Sequence, residues 1–361
     1  MKKMLKQMIL AIYFLCIAIV FGSCGKKAEL VDCSYPEISL GIIAQQSQPT
    51  VFQNLLTGID DLSREAIGKR PVAVMINNVE AALPQYGVGQ ADVIFEMPVE
   101  GDLTRLMAIY ADYTSIPDIC AIRSCRYYYP ALAQGFDAFY VHWGSDNSII
   151  PYVDSLGITR YDGIRNPHNL FARDMERRNK GYALEHTGIF KGTEFAAVVK
   201  TTGVRTELLE NKRGTAFRFC GLDTTIIPEG TVCEKAHIDF GAATATFIYD
   251  KKEGGYKKQI NGHDHVDGKT KEVLQFKNVF VLETDIGIKD SEGHKKIDWS
   301  GDGNNVGYYI SNGYAEKIKW YKENGQETGY LKFFAEDGQE LQINRGKSYI
   351  AYTGHERTKF N

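Results

Sequence analysis

The chain has 361 residues, 43% hydrophobic and 24% charged, with a formal net charge of −3. That composition excludes a disordered or fibrous protein, and the length suits about two globular domains. A mildly acidic chain exerts no long-range pull on phosphate polymers, which argues against nucleic acid as a partner.

Lys2, Lys3 and Lys6 precede an unbroken apolar stretch from Met8 to Phe21, followed by Gly22-Ser23-Cys24. A basic start and an apolar run too short to span a bilayer comfortably read as a secretory signal. Small residues directly before a cysteine resemble a bacterial lipobox. The resemblance implies that the Cys24 thiol is acylated, palmitate being one such chain, and that residues 1–23 are removed. An uncleaved anchor helix and an ordinary signal are the alternatives. No second apolar run approaches membrane-span length. The mature body is therefore expected at the cell membrane, on its extracytoplasmic face, held by lipid alone. Residues 24–54 carry the lipidated cysteine and a polar spacer.

From 55 to 207, strand and helix patterns alternate, which predicts an α/β domain with a mixed sheet and flanking helices. Pro71–Ile76, Ala91–Glu96, Leu106–Tyr110 and Ala138–His142 read as strands, the first nearly all apolar and so buried on both faces. Tyr127–Asp137 reads as a helix with Pro130 in its first turn. Asp146 or Ser148 caps a second helix, and Thr193–Lys200 forms a third before Gly203.

From 208 to 361, short alternating runs separated by turn signals predict a mainly β domain of antiparallel hairpins, with strands at Thr244–Tyr249, Val279–Leu282 and Leu331–Ala335. There are seven cysteines. Outside the membrane disulfides are permitted, and Cys220 and Cys233 flank a Pro-Gly-containing segment that they could bridge. Buried reduced thiols are the alternative.

Several strings together resemble the YerB-like family of Gram-positive lipoproteins. They include Arg70–Asn78, Pro84–Gly87, Ala91–Glu96, Val99–Gly101, Ile122–Arg126, Tyr140–Gly144, Pro167–Leu170, His265–Asp267, Gly307–Tyr309 and Ile318–Trp320. The resemblance covers almost all of the mature chain. It implies a surface lipoprotein of two domains and carries over no catalytic residue.

The densest polar constellation is Glu96, Glu100, Arg105, Arg123, Arg126 and His142, each near a predicted strand end, where α/β sheets bind ligands. Arg105, Arg123, Arg126 and His142 are the candidate ligand-binding residues, since forked guanidinium donors beside a helix start suit a carboxylate or phosphate. Structural ion pairing among the same side chains is the alternative. Glu96 and Glu100 are candidate acid/base residues for a hydrolase. His263 and His265 fall in a turn and read as solvated rather than as metal ligands. Asp298, Asp302, Asn304 and Asn305 miss the spacing of a calcium loop. No metal or cofactor is expected. The expected function is a lipid-anchored binding or adaptor module that engages an anionic cell-wall polymer or a membrane-bound wall-synthesis protein. A wall-active hydrolase is the alternative.

Overall fold

The computed structural model describes residues 53–302, 305–323 and 329–361. The predicted signal, Cys24, nearly all of the spacer and Asn304 lie outside the described residues.

Three strands form the centre of the main sheet: β1 (Val72–Asn77), β2 (Val93–Pro98) and β3 (Thr104–Tyr110). All their residues are buried, because layers cover both faces. β3 runs antiparallel between β1 and β2. Beyond β1, Phe139–His142 and Arg160–Asp162 add in parallel. Beyond β2, Ser348–Thr353 and then Asn278–Glu283 add in parallel. Antiparallel strands Asn305–Ser311, Tyr314–Lys322 and Leu331–Ala335 follow, and Thr231–Val232 completes an eleven-stranded sheet.

Strands from both sides of the 207/208 boundary build this sheet. β2 pairs with Ser348–Thr353 across it, and the described residues form one compact unit. Without the C-terminal strand, β2 would be an open edge of unpaired backbone groups, a template for unwanted pairing.

One face of the sheet packs against the helix Tyr128–Gly135 through Tyr128, Tyr129, Leu132 and Phe136. Pro130 lies in its first turn, where no intrahelical N–H bond is lost. The opposite face is covered by the helix Gly192–Thr202 and by a second sheet containing Lys235–Asp239, Thr244–Asp250 and Gly255–Ile260. Gly203 ends that helix with φ +65°, the left-handed cap that a side chain resists. Asp146 accepts from the Ser148 amide and opens the turn into the helix Ile150–Ser155.

The predicted Cys220–Cys233 bridge does not form. Both are buried free thiols. The Cys220 amide is fixed to the Ile343 carbonyl and its Sγ donates to the Thr224 carbonyl at 3.1 Å. Cys233 is fixed instead to Gly313 and to the Tyr256 hydroxyl. Pairing with different strands holds the two segments apart. Among the described residues no helix is long and apolar enough to cross a membrane.

Candidate functional site

The strand directions place the carboxyl ends of β1, β2, Phe139–His142, Arg160–Asp162, Asn278–Glu283 and Ser348–Thr353 along one edge of the sheet. β1 and Phe139–His142 pair only as far as Val74 and Val141. Past that point Ala121–Cys125 inserts between them. Asn77 N donates to Ala121 O, Arg123 N to Met75 O, Trp143 N to Arg123 O and Cys125 N to Gly144 O, all within 3.0 Å. The crevice where parallel sheets commonly take ligands is thus occupied by the chain itself.

Glu100, Arg105 and Arg126 come together here. Arg105 Nη2 donates to Glu100 Oε1 at 2.8 Å, Arg126 Nε donates to Glu100 Oε2 at 2.9 Å, and Arg126 Nη2 also bonds Glu100 Oε1. Arg105 is 3% exposed, and its other arm donates to the Ser124 carbonyl at 2.9 Å. The anion beside the start of the helix Tyr128–Gly135 is therefore the protein's own carboxylate, and these two arginines brace a loop. Burial alone would raise the Glu100 carboxyl. The Arg126 hydrogen bonds and the charges of Arg105 and Arg126 outweigh it and hold the group at about 2, against an ordinary 4.5. The folded value lies below the unfolded one, so this stabilisation is complete above pH 4.5 and disappears as pH falls towards 2. Allowing for solvent screening it amounts to about 2 kcal/mol. Denaturant unfolding between pH 5 and pH 2 is expected to show that loss in the native protein and not in Glu100→Gln.

His142 joins the edge but is 2% exposed. Its Nδ1 lies 2.9 Å from the Gly144 carbonyl, which can only accept, so Nδ1 carries the proton. Nε2 has no partner among the described residues. Burial lowers the imidazole below its ordinary range, despite Asp162 nearby. A neutral, sealed imidazole cannot contact a ligand.

Arg123 and Arg173, both half-buried, reach the surface at this edge, beside the exposed Arg165. Arg123 reaches Glu185 at 3.6 Å, a partly exposed contact worth little. The Arg173 guanidinium sits 3.9 Å from the centroid of the Trp143 ring and donates to the Leu184 carbonyl at 2.7 Å. Gly163 and Gly188 approach the indole so closely that a Cβ on either would lie under 3.0 Å from it. Ile164 and Leu184, 70% and 52% exposed, flank this arrangement. Arg173, Ile164 and Leu184 were not evident from the sequence as site residues, because nothing local marks which arginine stacks on Trp143.

Glu96 is not part of this edge. It points to the other face of β2, away from neighbours Phe95 and Met97. There it belongs to a closed polar ring. Glu96 Oε1 accepts from Asn78 Nδ2 and Thr104 Oγ1 at 2.7 Å each, and Oε2 accepts from the Tyr349 hydroxyl at 2.5 Å. Lys258 Nζ stands 3.9 Å from Oε2 and 3.2 Å from His265 Nδ1. His265 Nε2 meets Gln85 Oε1 at 2.7 Å, and Gln85 Nε2 donates to Asn78 Oδ1 at 3.2 Å. Gln85 Nε2 also donates to the Asn77 carbonyl, which settles the amide orientation. His265 must then donate from Nε2 and accept from Lys258 at Nδ1. His265, expected in a solvated loop, is 1% exposed, because the strand Gly255–Ile260 folds it against Lys258. Burial, then the Lys258 charge, holds its imidazole well below the ordinary range. Lys258 was legible in principle, since it alternates with Tyr256 and Ile260 on the inward face of that strand.

Asp146, Glu292 and His294 bring ligand-type atoms within 4.8 Å of one another, but His294 Nδ1 is already engaged by Asp290 at 2.8 Å. Asp298 accepts from the Ser300 and Gly301 amides and forms an ordinary turn.

Residues 56–205 match the family described as "Protein of unknown function (DUF3048) N-terminal domain", and residues 236–350 match the corresponding C-terminal domain. The chain belongs to this YerB-like family. It is 26% identical over 301 residues to "Putative lipoprotein YerB" of Bacillus subtilis (strain 168), covering 82% of this chain and 84% of that one. The crystal structure of YerB protein from Bacillus subtilis superposes with a TM-score of 0.70 at 23% identity, over 85% of this chain and 98% of that one. The fold is thus shared: a mixed sheet with helices in the N-terminal half and a mainly β C-terminal half.

Proposed function

We propose that the protein is a lipid-anchored binding module on the extracytoplasmic face of the cell membrane, and that it engages an anionic cell-wall component through Arg123, Arg173 and the surface around Trp143. The similarity to a protein named as a lipoprotein supports the anchor at Cys24. Stable attachment would require more than one acyl chain there.

The observation that carries the reading is where the described chain begins relative to Arg123 and Arg173. The described chain begins at the amino edge of the sheet. Asn54 Nδ2 donates to Asp92, just ahead of β2, and the Thr57 carbonyl accepts from Gly346, just ahead of Ser348–Thr353. Arg123, Trp143 and Arg173 lie at the opposite, carboxyl edge. A body tethered through its first residues can present that edge away from the bilayer, towards the wall. Forked guanidinium donors suit the phosphates and carboxylates found there.

The hydrolase reading receives less support. Glu96 is 1% exposed, and Glu100, held at about 2, stays ionised at neutral pH and cannot serve as the proton donor of a carboxylate pair.

Two measurements test the proposal. A labelled fatty acid should enter the native protein and not Cys24→Ser. The chain beginning at Gly25 should sediment with purified wall and release no fragments. The double variant Arg123→Ala, Arg173→Ala should bind about tenfold more weakly while its circular dichroism spectrum stays that of the native fold. Absent sedimentation, or binding indifferent to both substitutions, would count against the arginine surface. Released fragments that vanish in Glu100→Gln would favour the hydrolase.

A further inference from the structure

We propose that Lys258 and Asn78 become joined by an intramolecular isopeptide bond, formed autocatalytically with Glu96 as the proton shuttle. The inference is independent of the binding surface and stands on the geometry of the buried ring.

The ring is sealed. Lys258 is 0% exposed, Glu96 1%, Asn78 2%, Gln85 0% and His265 1%. No outside substrate reaches it, so any chemistry there takes place between its own members. The members supply each role that amide exchange requires. Lys258 provides an amine. Asn78 provides a primary carboxamide, an electrophilic Cγ with an amide nitrogen to expel. One carboxylate bridges the two: Glu96 Oε2 faces Lys258 Nζ at 3.9 Å, and Glu96 Oε1 holds Asn78 Nδ2 at 2.7 Å. Gln85 Nε2 donates to Asn78 Oδ1, the atom on which negative charge would develop, at 3.2 Å. Tyr349, Phe247 and Tyr256 pack in the same apolar cluster, so the site has the low dielectric in which such preorganised donors act most strongly. Burial also lowers the Lys258 ammonium, which favours the free amine.

The step balances without an oxidant or cofactor. The Lys258 ammonium passes one proton to Glu96 Oε2. Its amine, turned from His265 towards Asn78, attacks Cγ. The Asn78 oxygen carries the charge of the tetrahedral intermediate under the Gln85 N–H. Glu96 delivers a proton to Nδ2 and takes the surplus proton from the attacking nitrogen. The Cγ–Nδ2 bond breaks, and ammonia departs with the remaining proton as ammonium. The product is a secondary amide that links the segment after β1 to the second sheet, with Glu96 ionised as at the start.

Peptide mapping of the denatured, full-length protein by tandem mass spectrometry tests this. The expected result is a branched peptide joining Asn78 to Lys258, lighter than the sum of its two arms by one ammonia and uncleaved by trypsin after Lys258. In Glu96→Gln the arms should be recovered separately. Linear peptides from the native protein, with Asn78 intact and cleavage after Lys258, would overturn the proposal whatever the variants do. Ammonia loss confined to Asn78, with Lys258 free, would overturn it as well. A branched peptide that persists in Glu96→Gln would remove Glu96 from the mechanism.

Discussion

Lys258→Met is expected to destabilise the protein by about 3–5 kcal/mol in urea unfolding, the scale of removing one partner of a buried ion pair. This cost refers to the chain before Asn78 and Lys258 are joined, in which Lys258 carries the positive charge facing Glu96 and both are sealed from water. Methionine replaces the stem but leaves a carboxylate in an apolar layer, held by the hydroxyls of Tyr349 and Thr104 and the amide of Asn78. Those donors are neutral and only part of the charge is compensated. Adding Glu96→Gln should therefore recover part of the loss, because the uncompensated charge goes with it. The double variant would then be more stable than Lys258→Met alone. Strictly additive costs in the cycle would show that the two side chains act independently.

Glu100→Ala is expected to cost about 2–3 kcal/mol, since it strands Arg105 in the interior with only the Ser124 carbonyl for company. Arg126→Ala should cost less, about 1 kcal/mol, because Arg105 keeps its carboxylate and Arg126 is nearer to water. Neither substitution touches Arg123 or Arg173. Wall sedimentation of Arg126→Ala should accordingly match the native protein, whereas its unfolding midpoint falls. Equal loss of sedimentation in Arg126→Ala and Arg123→Ala would move the binding surface towards the Glu100 cluster. Circular dichroism against denaturant and sedimentation on the same samples separate these outcomes.

Strands with both faces covered were legible as strands, although the half-buried Leu331–Ala335 was the one whose ends matched in full. Val72–Asn77 and Val93–Pro98 are apolar runs bounded by turn residues, and such runs have few alternatives to a buried strand. Helix ends were legible for similarly local reasons: Gly203 stops one helix, and Asp146 opens the turn into another. The grouping of Glu100, Arg105 and Arg126 at strand ends was legible too, since they lie close in sequence to those ends. Their bonding to one another was not. Spacing brings arginines to an edge but does not reveal whether a carboxylate already occupies them.

Glu96 shows the limit most clearly. Its position in the strand pattern identifies an inward-facing residue, and its proximity to Glu100 in the chain suggests a carboxylate pair. The pleat sends it to the other face, where its partner hydroxyl comes from Tyr349, 253 residues away. Gln85 and His265 are separated by 180 residues and share one hydrogen bond. The disulfide expectation failed for the same reason: short separation along the chain between Cys220 and Cys233 says nothing of the strands that hold each one.

By itself the sequence determined the secretory pattern ahead of Cys24, the family, and the alternation of buried strands with helices, because hydrophobic periodicity and turn chemistry are local properties. Only the tertiary structure decided which charges meet, which stay exposed and which half of the chain completes the sheet. Those outcomes depend on contacts between segments hundreds of residues apart, and burial makes the pairing energy of a charge a property of its neighbours in space rather than of its own segment.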